Sequence, residues 1–367
     1  MWVHKLIHSI PTFLDLLALT TLIGALGCRL WVITPLVTRY FVSCKALLIN
    51  IWRLLAVCII LLALSSFILL FTRAAEMSSL PLTTILPVLP KVLFKTHYGQ
   101  VWLVRVTVIT VLWISLSIGK QRLDSRAVPA FMLVVAAVLA FTRSASSHAA
   151  DAGHLRLPEI MDWLHLMAAS FWGGGLLVLS TVLLPKVIKH SNQRLTVVAD
   201  IAQRFSALAG VALAGIILTG VYNAWLQVGS FQALWKSPYG QTLISKLLLL
   251  VALIMLGASN RYISIPLLKW SENPPTKKEG AIYRLFVIPY LGRIQHKLDM
   301  ARIARRFVVK VWIEAILILG VLTCAALLQH EIPARHFLHA WHVHGLKKSN
   351  TEQKLNFTDI MIDRAKN

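Results

Sequence analysis

The chain has 367 residues, 57% of them hydrophobic and 14% charged, with a formal net charge of +22. A soluble domain carries about 25% charged residues, so this composition excludes a soluble globular protein. No folded basic domain remains that could bind nucleic acid. The excess positive charge belongs to membrane topology and to contact with anionic lipid.

A bilayer core takes about 20 apolar residues per helix, and eight such spans are predicted, at 11–33, 48–71, 98–118, 127–146, 160–184, 202–226, 240–262 and 308–328. The fold class is an all-α polytopic membrane bundle. Met1–Ile10 reads as a short leader to an uncleaved first helix, because its n-region has one Lys and the apolar run after it is long enough to span. Cys28, Cys44 and Cys58 fall at the first two spans and their connection, and Cys324 falls in the last. No CxxC occurs, so zinc-ribbon and thioredoxin readings have no support, and the cysteines read as small packing residues.

Lys and Arg predict the orientation, since cytoplasmic connections carry the excess. The connections after spans one, three, five and seven, with the span ends beside them, hold 22 of the 37, and the opposite face holds 13. Both termini are therefore expected outside and the basic stretch 261–310 inside. Of 13 histidines, only His190 and His296 then fall inside. His4, His8, His97, His148, His154, His330, His336, His339, His342 and His344 fall outside, and His165 lies in the fifth span near its outer end. Loop histidines are often merely solvated, but that does not account for so uneven a split. Imidazole is the commonest metal ligand.

The two halves echo each other. Pro11 and Asp15 open the first span and Pro158 and Asp162 the fifth. Tyr98-Gly99-Gln100 opens the third and Tyr239-Gly240-Gln241 the seventh, with Arg105 and Lys246 each seven residues beyond the tyrosine. Four spans per copy make this a parallel repeat. The expected organisation is 1–147 as a first four-helix repeat, 148–335 as a second, and 336–367 as a histidine-rich extracytoplasmic tail. Asp15 with Arg105, and Asp162 with Lys246, are expected as structural ion pairs at similar depth, since intramembrane charges are costly unless paired or functional. The alternative is that the basic side chains snorkel to the headgroups.

The copies differ where Ala18 in one corresponds to His165 in the other. Asp162 and His165 share a helix face at i and i+3, with Met161 one turn before His165. Carboxylate, imidazole and thioether can all bind a transition metal, and a thioether suits Cu(I). The alternative is a polar stripe packed against neighbouring helices. Gly173-Gly174-Gly175 reads as a surface for close helix approach. In the tail, His336 and His339, or His339 and His342, share a helical face, and His342 and His344 share an extended one. At least two imidazoles can reach one ion either way, though nickel, zinc and Cu(II) all accept such ligands. Residues 345–367 receive no function.

From Asp162-Trp163-Leu164-His165 through Phe171-Trp172-Gly173-Gly174-Gly175, the chain resembles the copper resistance protein D (CopD-like) family of bacterial membrane proteins. The likeness continues through Arg204-Phe205-Ser206, Thr219-Gly220-Val221-Tyr222-Asn223-Ala224-Trp225, Pro238-Tyr239-Gly240-Gln241, Lys246, Asn260-Arg261, Glu314 and Pro333-Ala334. It is strong over 148–335 and weaker but collinear over 11–147. The resemblance implies eight helices in a bacterial inner membrane and copper uptake from the periplasm toward the cytoplasm, often beside a small periplasmic copper carrier. It points to His148, and to His165 with Asp162. No β-sandwich copper-carrier domain is present, unlike in fused members of the family.

The expected function is therefore copper transport or handling through a histidine-lined outer mouth. His148, His154 and His165 are expected to converge there, with His97 or His330 as further ligands and Asp162, Met161 and Glu314 as metal-binding or structural residues. The alternative is a membrane haem b or redox protein, since histidines from facing helices also ligate haem iron. No coherent nucleophile–base arrangement supports an enzyme.

Overall fold

The computed structural model describes residues 2–37, 41–146, 157–185, 194–270 and 297–335. Among them the chain is helical and contains no strand. Eight helices are long and apolar enough to cross a membrane: α1 (Ser9–Leu36), α2 (Ala46–Ser78), α3 (His97–Gly119), α4 (Ala127–Ser144), α5 (Leu157–Leu183), α6 (Val197–Val228), α7 (Pro238–Leu268) and α8 (Arg302–Leu328). The protein is a multi-pass all-α membrane bundle. Several helices overrun their predicted spans. The first begins at Trp2 and passes through Pro11, and the second runs from Phe41 to Ser78. A hydropathy window stops at polar residues, while a helix continues as long as its backbone bonds are made.

Burial ranks the helices. In the most apolar stretch of α1, 83% of residues are buried, against 61% for α5 and 6% for α7. α1 packs against α2, α4, α5 and α8, so it is the axis of the bundle. Its closest neighbour is the Gly173-Gly174-Gly175 segment of α5. A Cβ on Gly174 would run into the Thr20 carbonyl, and one on Gly24 into the Gly174 backbone. Lipid is as apolar as leucine, so membrane helices associate through this kind of close backbone approach. The large apolar side chains exposed along α2, α6 and α7 are the lipid-facing surface.

The two Tyr-Gly-Gln phrases adopt matching local structure. Each follows a short helix, Leu89–Lys95 or Phe231–Lys236. Thr96 caps α3 by accepting from Gly99 N, and donates to the Val92 carbonyl at 2.6 Å. Ser237 caps α7 by accepting from Gly240 N, and donates to the Ala233 carbonyl at 2.6 Å. Both glycines are required sterically, because a Cβ on Gly99 or Gly240 would strike the backbone of the preceding short helix. The hydroxyl satisfies a helix-start N–H that would otherwise be orphaned.

The halves also diverge. α3 packs on both α2 and α4, whereas α7 packs on α8 and meets α6 chiefly through its C-terminal end, Ile265–Trp270. α7 is therefore the less enclosed of the two.

Candidate functional site

Asp15 is fully buried in α1 and is held from three helices. Arg105 Nη2 of α3 donates to its Oδ1 at 2.5 Å, Ser65 Oγ of α2 donates to the same oxygen at 3.0 Å, and Arg143 of α4 donates to Oδ2. Arg105 is fixed in turn by Ser66 Oγ at 2.8 Å, and Arg143 by Gln329 beyond α8. Two bonded guanidiniums and a hydroxyl engage both carboxylate oxygens. The cluster clamps α1 to α2, α3 and α4. Arg143, Ser65 and Gln329 were not singled out by sequence reasoning. An arginine at a helix end reads as interfacial, and only the packing shows it turned inward.

Above this cluster, at the face where α3 begins and α8 ends, lies a cavity of about 430 Å³. His97 and His330 both line it, together with Tyr98, Trp102, Arg105 and Arg143. Each imidazole already has a protein partner. His330 Nε2 lies 2.9 Å from Thr12 Oγ1, and His97 Nε2 lies 3.4 Å from the Ala145 carbonyl.

His165 is elsewhere. It is not part of the cavity lining and sits on α5 against α6, half-buried, with its ring beside Gly220. Its Nδ1 is 3.0 Å from Thr219 Oγ1, and the Thr219 hydroxyl donates to the Gly215 carbonyl at 2.6 Å. A hydroxyl has one proton. With that proton given to Gly215, Thr219 accepts from the imidazole Nδ1–H, and the Ile216 backbone is a further hydrogen-bond partner of the ring. Metal-ligating histidines are commonly oriented in this way, the second nitrogen donating to a neighbour. Met161 and Asp162 are half-buried on the preceding turn. Asp162 and Lys246 are within electrostatic range of each other, and Lys246 is also within range of His165.

Glu314 belongs to a different level. It accepts from Asn260 Nδ2 at 2.9 Å, where a π-helical turn of α7 meets α8, and Lys310 one turn away bonds Ser259 and Ser264. It lies 14 residues before the end of α8, or about 21 Å along the helix axis, and is not part of the cavity lining. Among the described residues, no three of His, Cys, Asp and Glu come together as a metal-binding group. His148 and His154, and the tail histidines His336, His339, His342 and His344, lie outside the described residues.

Two family models match the chain in order. The copper resistance protein D-like N-terminal domain matches residues 6–157, and copper resistance protein D matches residues 199–328. The chain belongs to the copper resistance protein D-like family. It is similar to the copper transport protein CutJ of Bacillus subtilis, with 30% identity over 45% of this chain and 30% of that protein. It is also similar to the inner membrane protein YebZ of Escherichia coli, with 25% identity over 49% of this chain and 59% of that protein. Copper resistance protein D of Pseudomonas syringae pv. tomato shares 24% identity over 65% of this chain and 71% of its own length. The matched stretch thus spans less than two thirds of CutJ and of YebZ. No solved structure matches the chain.

Proposed function

We propose that this protein carries copper across a bacterial inner membrane, from the histidine-rich face toward the basic face, with His165 as the intramembrane ligand. The observation that carries the reading is the Thr219 bond, which orients the imidazole. Met161 supplies a thioether one turn away, a donor suited to Cu(I). The family membership and the names of its relatives CutJ and copper resistance protein D support copper as the cargo. The tail histidines are assigned to collecting metal, and a small periplasmic carrier to delivering it. Both termini are assigned to the periplasm.

The test is cellular copper measured by elemental analysis. His165→Ala lowers accumulation at unchanged protein abundance, and truncation after Arg335 lowers it less. Equal accumulation in the His165 variant and the parent removes the assignment. Impermeant thiol labelling of Val3→Cys and Asn350→Cys, in cells without an outer-membrane barrier, checks the orientation.

A haem reading has one favouring observation: His97 and His330 share a cavity. Both Nε2 atoms are engaged by protein oxygens, so iron ligation through them would break those bonds. A Soret band in purified protein would decide for haem, and colourless protein that retains copper would decide against it.

A further inference from the structure

The cluster beneath the outer cavity is unbalanced in charge. Arg105 and Arg143 both bond Asp15, and Asp162 is within electrostatic range of Arg143 and Lys246. The two guanidiniums thus share the single carboxylate of Asp15. An arginine in a protein does not give up its proton, and an uncompensated charge away from water is costly. Arg143 has a second mark of incompleteness, since its buried Nε finds no acceptor among the described residues.

The cavity opens onto both arginines. About 430 Å³ is many times the roughly 30 Å³ share of one water. Its wall is mixed, with Leu69, Val101 and Trp102 as an apolar side. Glu76, the one carboxylate in the lining, bonds Arg73 at 2.8 Å in an exposed pair and not the deep arginines. The positive surplus also disfavours a copper cation here, so this site is separate from His165.

We propose that the cavity binds a singly charged oxyanion, a carboxylate or a phosphodiester, held by Arg105 and Arg143 with its organic part along Leu69, Val101 and Trp102. A soluble organic acid and the headgroup of an anionic phospholipid share this chemistry.

The test uses full-length protein, delipidated in neutral detergent, with thermal unfolding read at constant ionic strength. Hexanoate and dioctanoyl phosphatidylglycerol are the probes, and sodium chloride and dioctanoyl phosphatidylcholine the controls. A rise of several degrees with a probe and not with the controls is expected. A response to hexanoate alone identifies a soluble acid, and a response to phosphatidylglycerol alone identifies the lipid. Ser146→Asp supplies a fixed carboxylate in the cavity wall; it is expected to raise Tm without ligand and abolish the response, while Ser146→Asn retains it. No response to either probe in folded parent protein overturns the proposal. So does an equal response in the parent and the Asp variant, which places the binding elsewhere.

Discussion

Asp15 and Asp162 each follow a proline by four residues, yet their surroundings differ. Asp15 is sealed in the bundle axis, with two guanidiniums and a serine on its oxygens. Asp162 is half-buried, with the Lys246 ammonium and the Arg143 guanidinium within electrostatic range and His165 one turn on along its helix. The same acid is committed to holding helices together in the first half and is left accessible beside a candidate ligand in the second. Ala18 and His165 mark the same split. Ala18 is 1% exposed, without room for a ring, whereas His165 has a prepared partner in Thr219.

The comparison breaks most directly at the two aspartates. Removing one partner of a buried ion pair costs about 3–5 kcal/mol, because the remaining charge is stranded. Asp15→Asn would strand two guanidiniums, so a large fall in Tm and in membrane abundance is expected. Asp162→Asn, at a half-buried position, is expected to cost clearly less. If thermal unfolding in detergent shows equal losses, the division into a structural and an accessible acid is wrong.

A smaller effect tests what the halves share. Gly99→Ala and Gly240→Ala each press a methyl onto the backbone of the preceding short helix, and overpacking of this kind costs about 1–3 kcal/mol. The matching caps support a duplication, so the two losses should agree within experimental error. A loss at one glycine only would mean that the phrases resemble each other by chance.

Much of the scaffold was legible in the sequence because each span is set by its own apolar run, and the Tyr-Gly-Gln phrases by a local cap and a local clash. The contact of Asp15 with Arg105 was within reach for a related reason: both enter from the same face at the same depth. Features that depend on which helices meet were not legible. Arg143 counts as an interfacial cation until α4 is packed against α1. Thr219 is an ordinary threonine in an apolar span until His165 is placed beside it. Nothing in the spacing of His97, His165 and His330 says that the first and last share a cavity while His165 faces α6.

The finest test concerns Thr219, whose part is to orient and not to bind. Thr219→Val keeps the β-branched shape and removes the hydroxyl. The bond to Gly215 is lost, costing roughly 0.5–1.5 kcal/mol, so the protein should fold and accumulate normally. His165 then has no hydroxyl to receive the Nδ1 proton, and the ring is free to turn or to change tautomer. Partners of this kind are worth about 10–100-fold in metal affinity. Copper retention by purified Thr219→Val protein, titrated against a chelator, should weaken within that range, while His165→Ala should weaken it at least as far. Thr219→Ser restores a hydroxyl and should recover most of the affinity. Recovery by serine separates an orienting bond from mere packing, since serine leaves the packing poorer than valine does. If valine and parent hold copper equally well, the hydroxyl does not prepare His165, and the tautomer inferred from its bond to Gly215 has no bearing on the metal.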